Sequence, residues 1–357
     1  MSPVPVALVG GFLGAGKTTL LTALAARAGR AGRRVAVITN DQGGELADSQ
    51  LVAGAGIAGA EVAGGCFCCR FDDLVAALEQ VTAADPGLDL VLAEAVGSCT
   101  DLVATVYRPL ARLHGDRFAP LPVTVVVDPL RQGQLADFPA DVRYLFAEQV
   151  READLVVVNK TDVAGPDAVA AAEALVGGIN PAARVLRAAA RTGDGVAEWH
   201  GWLTLPAAPG GGRALGGLDY DRYAAAEAEL AWLNASAEVS GARAFDVDGA
   251  LDELSAALDR GLSGARTAHV KLLGSGAGGV SQRNLTGAGP GWDRVRTAPA
   301  PMDTATVLVN ARVCTEPALL EHAVRAALGR LAGRLDVRVT HLECFRPARP
   351  VPSHRDL

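Results

Sequence analysis

The sequence lacks three features that mark large classes of protein. It has no uninterrupted apolar stretch of about 18 residues, so it predicts no transmembrane helix. Its first residues lead into an apolar strand pattern without the basic segment and small-residue cleavage site of a secretory signal. Basic residues show no excess, because 33 Lys and Arg stand against 40 Asp and Glu, a net charge of −7. We therefore expect a cytoplasmic protein that binds neither membranes nor nucleic acid.

What is present indicates a globular protein of two domains. The 357 residues, half of them hydrophobic, are enough for one large core and a smaller one. In residues 1–205, short apolar runs alternate with helical stretches, which predicts an α/β domain with a doubly wound, mostly parallel sheet. The Gly- and Pro-rich segment 206–217 predicts a linker, and residues 218–357 predict a smaller α+β domain.

The pattern also predicts the individual elements. The strands of the first domain are Val4–Val9, Val35–Thr39, Leu88–Ala93, Pro122–Val127, Leu155–Asn159 and Ala183–Ala188. Its helices are Thr18–Ala28, Asp72–Val81, Val142–Ala153, Asp167–Val176 and Gly195–Leu203. In the second domain the helices are Gly249–Leu262 and Pro317–Leu331, and the strands include Thr267–Leu273, Thr304–Val313 and Leu335–Phe345. In a doubly wound sheet, binding sites are expected at the carboxyl ends of the strands.

A phosphate-binding motif follows the first predicted strand. Residues Gly11–Thr18 read GFLGAGKT, which fits the P-loop pattern G-x-x-x-x-G-K-[ST] between a strand and a helix. The glycines let backbone N–H groups cradle phosphates, Lys17 reaches the β- and γ-phosphates as a catalytic group, and Thr18 offers its hydroxyl to Mg²⁺. The predicted phosphate-binding residues are Gly11, Gly14, Ala15, Gly16, Lys17, Thr18 and Thr19. The alternative interpretation is a Gly-rich turn without a ligand.

A second motif, at the end of a later strand, predicts that the base is guanine. Residues Asn159–Asp162 read NKTD, about 140 residues after the P-loop. The Asp162 carboxylate accepts from both N1–H and the 2-amino group of guanine, and adenine offers neither arrangement. With Asn159 and Lys160, it forms the predicted base site. Residues 190–195 follow at the position where proteins with a base site of this kind close a loop over the base. The backbone amide of Ala189 is expected to contact the base.

Three of the six cysteines crowd into four positions, at Cys66, Cys68 and Cys69. Neighbouring Cα atoms across a trans peptide lie about 3.8 Å apart, closer than the range of about 4.4–6.8 Å that disulfides usually span. In a reducing compartment, clustered thiols are more often metal ligands or redox groups. The remaining interpretation is a group of buried thiols beside a Gly turn.

Taken in order, GGFLGAGKTTLL, GGCFCC, an acidic residue followed by x-x-Gly, and NKTD resemble the CobW-type GTPases, relatives of the UreG and HypB nickel-insertion proteins. The resemblance covers residues 4–205 and is thin beyond the linker. It implies a P-loop GTPase fold and GTP-dependent delivery of zinc, cobalt or similar ions. On this chain, the family's C-x-C-C motif falls on Cys66, Cys68 and Cys69. Three thiolates suit Zn²⁺ or Co²⁺ and leave one tetrahedral position for an exchangeable ligand.

The resemblance also implies catalytic and switch residues on either side of the cysteines. Asp41 follows the second strand and would order the Mg²⁺ shell or the attacking water, although Asn-Asp-x-Gly is also good turn chemistry. Glu94 ends the next strand and would contact Mg²⁺ through water. The Gly97 amide would sense the γ-phosphate. Ala95 stands where the family tends to have Thr, which argues against fast hydrolysis. Cys99, two residues past Gly97, is a candidate fourth thiolate in one nucleotide state, the alternative being a buried thiol.

The function predicted from the sequence is Mg²⁺-dependent GTP hydrolysis coupled to the binding and delivery of a transition metal. The expected ligands are GTP or GDP, Mg²⁺, and Zn²⁺ or Co²⁺, and the expected partners are a client metalloprotein and a GTP-dependent homodimer. Two alternatives belong to other classes of function. One is a slow GTP-dependent switch that binds a partner, and the other is a metal sensor or buffer without significant turnover. Stimulation of the GTPase rate by a metal or a partner separates the first hypothesis from the switch. Tight metal binding that is indifferent to GTP favours the sensor or buffer.

Overall fold

The computed structural model describes residues 2–43, 47–205, 213–287 and 291–357. The chain divides into two compact units. The first unit is Met1–Gln42, Asp48–Ala226 and Arg349–Leu357, and the second is Gly43–Ala47 and Glu227–Ala348. The predicted linker, residues 206–217, begins with seven residues outside the described ranges, so the boundary there stays a prediction. The segment 349–357 returns to the first unit after the last strand of the second.

The first unit alternates strands and helices along the chain. Its strands are β1 (Val4–Gly10), β2 (Val35–Asn40), β3 (Ala58–Val62), β4 (Leu90–Glu94), β5 (Phe118–Val127), β6 (Leu155–Val158) and β7 (Arg184–Arg187). Its helices are α1 (Lys17–Arg30), α2 (Ala47–Gly54), α3 (Phe71–Ala84), α4 (Arg108–His114), α5 (Pro129–Gln132), α6 (Ala140–Glu152), α7 (Pro166–Ile179) and α8 (Val196–Leu203), and α9 (Tyr220–Ala228) follows. A π-helical turn (Val103–Tyr107) precedes α4, and a 3₁₀ turn (Leu135–Asp137) follows α5.

The seven strands form one parallel sheet in the order β3-β2-β4-β1-β5-β6-β7. The central strands are buried on both faces, which is why their sequences are nearly continuous apolar runs. The predicted α/β class and parallel sheet are therefore confirmed. The sequence prediction missed β3, an edge strand whose residues are mostly exposed and mostly Ala and Gly, so it carries no apolar run.

Helices α1 and α8 bury their apolar faces on β1, β4, β5 and β6. Trp199 of α8 is fully buried, and its indole N–H donates to the Thr124 hydroxyl at 3.2 Å. A buried indole requires such an acceptor, because an unpaired N–H in a core is costly. Since all strands are parallel, their carboxyl ends meet at one edge of the sheet, where the predicted site residues lie.

The second unit is a six-stranded antiparallel sheet covered by two helices. Its elements are β8 (Ala231–Phe245), α10 (Val247–Gly261), β9 (Arg266–Gly276), β10 (Gly279–Leu285), β11 (Asp293–Arg296), β12 (Met302–Cys314), α11 (Pro317–Leu331) and β13 (Asp336–Phe345). The strand order is β11-β10-β9-β12-β8-β13. Apolar residues of the helices, such as Leu254 and Leu328, pack on alternate residues of β8 and β12. This confirms the predicted α+β class.

Across the described residues, we find no helix that is both long enough and apolar enough to span a membrane.

Candidate functional site

The loop after β1 has the backbone geometry of a phosphate-binding loop. Gly11, Gly14 and Gly16 have φ angles of 128°, 78° and 92°, in the region that favours glycine. A Cβ at Gly16 would lie 2.5 Å from Nδ2 of Asn159, and one at Gly11 would overlap the backbone of Val126. Such angles let successive N–H groups face one side of the loop, at the positive end of α1, where phosphate oxygens bind.

The side chains of Lys17 and Thr18 are already ordered by neighbours in this loop. Lys17 is buried, and its Nζ donates to the Gly11 carbonyl at 2.9 Å. Oγ1 of Thr18 lies 2.7 Å from a carboxylate oxygen of Asp48 and 3.0 Å from one of Glu94. A hydroxyl and two carboxylates therefore converge at the end of the P-loop.

These three oxygen groups fit Mg²⁺, a hard cation that takes oxygen ligands and usually keeps several waters. Thr18 and Glu94 were predicted from the sequence, and Glu94 is the buried last residue of β4. Asp48, in the first turn of α2, was missed. The available signal was an acidic residue in the first turn of a short helix that follows the Asn40–Asp41 turn. Its distance of 30 positions from Thr18 matches no motif spacing.

Asp41 makes turn contacts. Its carboxylate accepts from the Gln42 N–H at 2.6 Å, its own N–H donates to Val62, and its carbonyl accepts from Gly65. These bonds tie the end of β2 to the loop after β3. Its predicted action on Mg²⁺ or water stays a prediction.

Asn40, beside it, holds the cysteine loop in place. Its amide donates to the carbonyls of Val62 and Gly65 at 2.8 and 2.7 Å, and its oxygen accepts from the Phe67 N–H at 3.0 Å. A buried amide that uses both donors and its acceptor allows one orientation of its neighbours. The end of β2 therefore fixes the loop that carries the cysteines.

Gly97 lies against the P-loop. A Cβ at this position would lie 2.6 Å from Cδ2 and 3.1 Å from Cα of Leu13, so the close approach requires glycine. The buried Gln149 of α6 donates to the carbonyls of Gly97 and Cys99 at 3.1 and 2.9 Å. The segment after Glu94 is thus packed on the phosphate loop on one side and held by α6 on the other.

Asn159 and Lys160 connect the predicted base site to the phosphate loop. The Asn159 amide donates to the Ala15 carbonyl at 3.0 Å and accepts from the Ala190 N–H at 3.1 Å. Nζ of Lys160 lies 2.7 Å from both the Gly14 carbonyl and a carboxylate oxygen of Asp128. The sequence prediction missed Asp128, which follows β5 and orients Lys160.

Asp162 is solvent-exposed, so its carboxylate is accessible to a ligand. Its neighbour Thr161 is fixed by a hydroxyl bond to the Ala188 carbonyl at 3.0 Å. The N–H of Ala189, predicted to face the base, donates to the Asp194 carbonyl at 3.0 Å in this structure. The amide in contact with the Asn159 side chain belongs to the next residue, Ala190. The base-contacting roles of Asp162 and Ala189 stay predictions.

The three clustered cysteines bring their sulfur atoms together between β3 and α3. Sγ of Cys66 lies 2.8 Å from that of Cys68 and 3.5 Å from that of Cys69, and the Cys68–Cys69 pair lies at 3.7 Å. The backbone turns tightly here, because the N–H groups of Cys69 and Arg70 both donate to the Cys66 carbonyl. All three cysteines are free. They form a group of soft donors compact enough to hold one metal ion.

The environment of Cys68 and Cys69 favours the protonated form of both thiols. Hydrogen bonds with the other thiols, Cys66 foremost, together with burial, raise the pKa of Cys68 well above its ordinary value. The hydrogen bond with Cys66 and burial raise the pKa of Cys69 to about 11. Because a metal binds the thiolate form, binding at this loop must release protons.

Cys99 and Asp101 lie on the segment between Glu94 and the π-helical turn. The Cys99 thiol is fully buried, and its hydrogen bond with Cys68 contributes to the raised pKa of that thiol. Asp101 is fully buried with a φ of 65°, unusual for a residue with a side chain. Its carboxylate accepts from the Tyr220 hydroxyl at 2.9 Å and from Nε of Arg355 at 2.8 Å. The sequence prediction missed Asp101 and both partners.

Comparison with known proteins agrees with this geometry. The family model described as the CobW/HypB/UreG nucleotide-binding domain matches residues 5–187. Zinc chaperone CobW of Pseudomonas aeruginosa is 32% identical over 212 residues, covering 51% of this chain and 56% of the relative. Zinc-regulated GTPase metalloprotein activator 1 of Schizosaccharomyces pombe is 29% identical over 212 residues, covering 56% and 49%. The chain thus spans about half the length of these curated relatives.

Among solved structures, the Zn(II)-bound YjiA GTPase of Escherichia coli is 17% identical. The comparison covers 93% of this chain and 99% of that chain, with a TM-score of 0.39.

Proposed function

The chain belongs to the CobW/HypB/UreG family, and from this premise we propose that it is a Mg²⁺-dependent GTPase whose nucleotide state controls the binding and delivery of a transition-metal ion. Zn²⁺ is the preferred cargo, because two relatives are named a zinc chaperone and a zinc-regulated activator. Three thiols also suit Co²⁺. The proposed recipient is a client metalloprotein, and a homodimer is expected with GTP bound.

The observation that carries the proposal is one short segment that connects the two sites. Glu94, at its start, lies 3.0 Å from the Thr18 hydroxyl. Gly97 packs on the P-loop, and the buried thiol of Cys99, two residues later, is one of the groups that raise the pKa of Cys68. A change at the γ-phosphate therefore has a short path to the thiols, from Gly97 to Cys99, along a segment of the kind that moves in nucleotide switches.

Hydrolysis transfers the γ-phosphoryl group of GTP to water and breaks its bond to the β-phosphate oxygen. The residues of this chain position and stabilise the charged groups of that reaction. Lys17 and the backbone N–H groups of the P-loop hold the phosphate oxygens, and the Gly97 amide faces the transferred group. Thr18, Asp48 and Glu94 would hold Mg²⁺, which supplies neutralisation of the phosphate charge. Ala95 offers no hydroxyl beside Glu94, which favours a slow intrinsic rate.

The decisive measurement is Zn²⁺ affinity of the purified protein without nucleotide, with GDP, and with a non-hydrolysable GTP analogue. The triple substitution Cys66→Ser, Cys68→Ser and Cys69→Ser serves as the control. We expect Zn²⁺ affinity to depend on the nucleotide in the wild type. By linkage, Zn²⁺ then changes GTP affinity by the same factor. The control should bind GTP normally but lose tight Zn²⁺ binding, since hydroxyls are poor ligands for this ion.

The competing hypotheses give different results in this experiment when it is combined with an assay of GTP turnover. Tight Zn²⁺ binding that is indifferent to nucleotide would identify a sensor or buffer. Nucleotide-dependent binding without measurable GTP turnover would identify a switch. Retention of one tight Zn²⁺ by the triple variant would place the metal site elsewhere.

Cys99 belongs to the same proposal as a fourth thiolate that binds in one nucleotide state. A closed set of four thiolates retains the ion, and withdrawal of one opens the site for release. The test compares the thiolate charge-transfer absorption of bound Co²⁺ in wild type and Cys99→Ser, with GDP and with the GTP analogue. If both proteins show the same nucleotide dependence, Cys99 is a packing residue.

A further inference from the structure

The segment after the last strand, residues 349–357, belongs to the first unit and lies on the cysteine loop. The Val351 N–H donates to Sγ of Cys69 at 3.3 Å. Two residues later, the Ser353 N–H donates to the Cys68 carbonyl at 2.9 Å and its hydroxyl to the Cys69 carbonyl at 3.3 Å. Three hydrogen bonds therefore attach this segment to two of the three clustered cysteines, and one of them goes to a sulfur atom.

The sequence of the segment explains how the Val351 N–H reaches the thiol. Val351 stands between Pro350 and Pro352, neither of which has an N–H. A residue before proline is restricted to extended conformations, so the segment cannot coil into a helix here. The single N–H of this Pro-Val-Pro run is the one that faces Cys69. Val351 as a whole residue is 70% exposed, so its side chain contributes little packing.

The rest of the segment is anchored by contacts of three consecutive residues, His354, Arg355 and Asp356. The His354 ring packs edge-on against Phe71, the first residue of α3, with 4.9 Å between centroids. Arg355 donates through Nε to Asp101 at 2.8 Å and through its terminal nitrogen to the Leu215 carbonyl at 2.9 Å. The Asp356 N–H donates to the Ala104 carbonyl at 2.8 Å, and its carboxylate pairs with Arg112.

These contacts differ in how strongly they can stabilise the position of the segment. The Arg112 side chain is 55% exposed, so its pair with Asp356 is a surface ion pair of the kind that contributes little. The Asp101 side chain is fully buried, and the Arg355 guanidinium pairs with its carboxylate at 2.8 Å. Removing the cation would leave a buried carboxylate without that partner, which is strongly unfavourable. The Arg355–Asp101 ion pair is therefore the contact that contributes most to holding residues 349–357 in place, and we call it the latch.

Asp101 lies on the segment that carries Gly97 and Cys99. The latch consequently joins the residues expected to respond to nucleotide with the residues that cover the thiols. The cysteine loop is contacted from two directions, by Cys99 at Cys68 and by Val351 at Cys69.

We infer that residues 349–357 form a strap that positions the Cys69 sulfur for metal binding, with Val351 as the positioning residue and Arg355 as the latch to the nucleotide-responsive segment. This inference rests on the proposed metal-binding function. N–H bonds to a ligand atom are outer-shell contacts, and their loss typically weakens metal binding about 10- to 100-fold. Release of the strap would thus favour release of the ion.

The test uses two matched pairs of variants in the full chain. Val351→Pro removes the N–H and keeps an extended backbone, whereas Val351→Ala keeps the N–H and removes the exposed side chain. Arg355→Gln removes the latch, whereas Arg349→Gln removes an exposed pair with Asp221 in the same segment. Co²⁺ charge-transfer absorption, Zn²⁺ dissociation rate with GDP and with the GTP analogue, and the reaction rate of Cys69 with an aromatic disulfide in metal-free protein are measured for each.

For Val351→Pro we expect a shift of the charge-transfer band to lower energy, because a thiolate without the N–H bond is easier to oxidise. We also expect Zn²⁺ dissociation about tenfold faster and faster reaction of Cys69. Arg355→Gln should accelerate dissociation and remove its nucleotide dependence. Val351→Ala and Arg349→Gln should behave as wild type, and GTP binding confirms that each variant is folded.

The inference is overturned if Val351→Pro and Arg355→Gln both match wild type in band position, dissociation rate and Cys69 reactivity. It is also overturned if Val351→Ala shifts the band as far as Val351→Pro does, since packing would then be the cause. If wild type itself binds neither Zn²⁺ nor Co²⁺, the proposed function fails and the inference fails with it. Wild-type binding with unaltered variants would reject the strap alone.

Discussion

The nucleotide site and the cysteine loop lie at the same edge of one parallel sheet, but they are assembled in opposite ways. The nucleotide site draws its groups from many strand ends, from Gly11 after β1 to Asn159 after β6, and each group is held by hydrogen bonds to another part of the site. The three clustered thiols lie within four successive positions, and residues that contact them come from distant parts of the chain.

The difference follows from the chemistry of the two ligands. A nucleotide is long and carries phosphate, base and Mg²⁺ charges that must be contacted at separate points, so rigid strand ends suit it. A single soft ion needs three or four sulfur atoms close together, which one tight turn provides. Control of such an ion must then come from outside the turn, and here Asn40, Cys99 and Val351 each contact the loop.

The largest expected effect tests the nucleotide side of this comparison. Lys17→Ala should lower kcat/KM for GTP by about 30- to 1,000-fold, corresponding to about 2–4 kcal/mol of lost transition-state stabilisation. The Lys17 ammonium contacts the Gly11 carbonyl, so the fold should survive its loss. Steady-state phosphate release measures the effect, and unchanged Zn²⁺ binding in the absence of nucleotide is the control. A variant with the wild-type hydrolysis rate would refute the phosphate-site assignment.

A somewhat smaller effect is expected at the Mg²⁺ position. Asp48→Asn should raise the Mg²⁺ concentration needed for half-maximal activity by about tenfold or more, the effect of losing one charged contact of about 1.5 kcal/mol. Asp41→Asn is the matched control on the same segment. A titration of GTPase activity with Mg²⁺ decides between them. If Asp41→Asn shows the larger effect, the carboxylate chosen from the sequence is the ligand, and the one found beside Thr18 is not.

The residues of the site that could be predicted from the sequence are those that belong to a motif with a fixed spacing. Lys17 and Thr18 follow from the P-loop pattern, and Asn159 follows from NKTD at a strand end, because backbone geometry forces these spacings. Asp48 carries no such constraint, since the 30 positions between it and Thr18 include helix α1 and strand β2. The contact of Val351 with Cys69 spans 282 positions, a separation that no motif spacing covers.

The fold was predictable to a similar degree and for similar reasons. Strands buried on both faces, such as β1 and β6, appear as apolar runs and were found at nearly their observed bounds. The edge strand β3 was missed because its residues are mostly exposed. Asp101 could not be recognised at all, because its importance lies in a buried carboxylate and a positive φ that tertiary contacts impose.

A smaller effect is expected at the base site, where a substitution should change the preference for GTP over ATP. Asp162→Asn should reduce the preference for GTP over ATP by about 10- to 100-fold, because an amide cannot accept from both guanine donors. Asp167→Asn, at another exposed acidic position nearby in α7, is the control. Competition binding against labelled GTP measures the ratio. Unchanged discrimination in Asp162→Asn would move the base site elsewhere.

The smallest effect on either site is expected at Glu152, which lies behind the segment that connects them. Its carboxylate accepts from the Thr100 hydroxyl at 3.0 Å and from the Val103 N–H at 3.2 Å. Burial raises the pKa of Glu152 to about 8. The protonated acid is therefore the form that the folded protein favours at neutral pH. Gln is a close mimic of that form, since its oxygen accepts from Val103 while its amide donates to the Thr100 hydroxyl oxygen.

The sign of the pH effect follows from the raised pKa. Below pH 4.5, the ordinary value, both folded and unfolded states hold the proton and the group costs nothing. As pH rises towards 8, the unfolded chain ionises while the folded protein retains the proton, so stability is lost, by up to about 1.4 kcal/mol per pH unit. Glu152→Gln removes this loss. Its free energy of unfolding should exceed that of wild type increasingly from pH 5 to pH 8, as measured by urea denaturation.

Nucleotide and Zn²⁺ affinities at pH 6 should be the same in Glu152→Gln and wild type, within about twofold, because the substitution preserves both hydrogen bonds. A difference in these affinities that appears only above pH 8 would mean that ionisation of Glu152 weakens its contact with Thr100. The segment between the two sites would then be held less firmly. Parallel stability curves at all pH values would show that Glu152 is ionised in the folded protein, and the burial argument at this position would then be wrong.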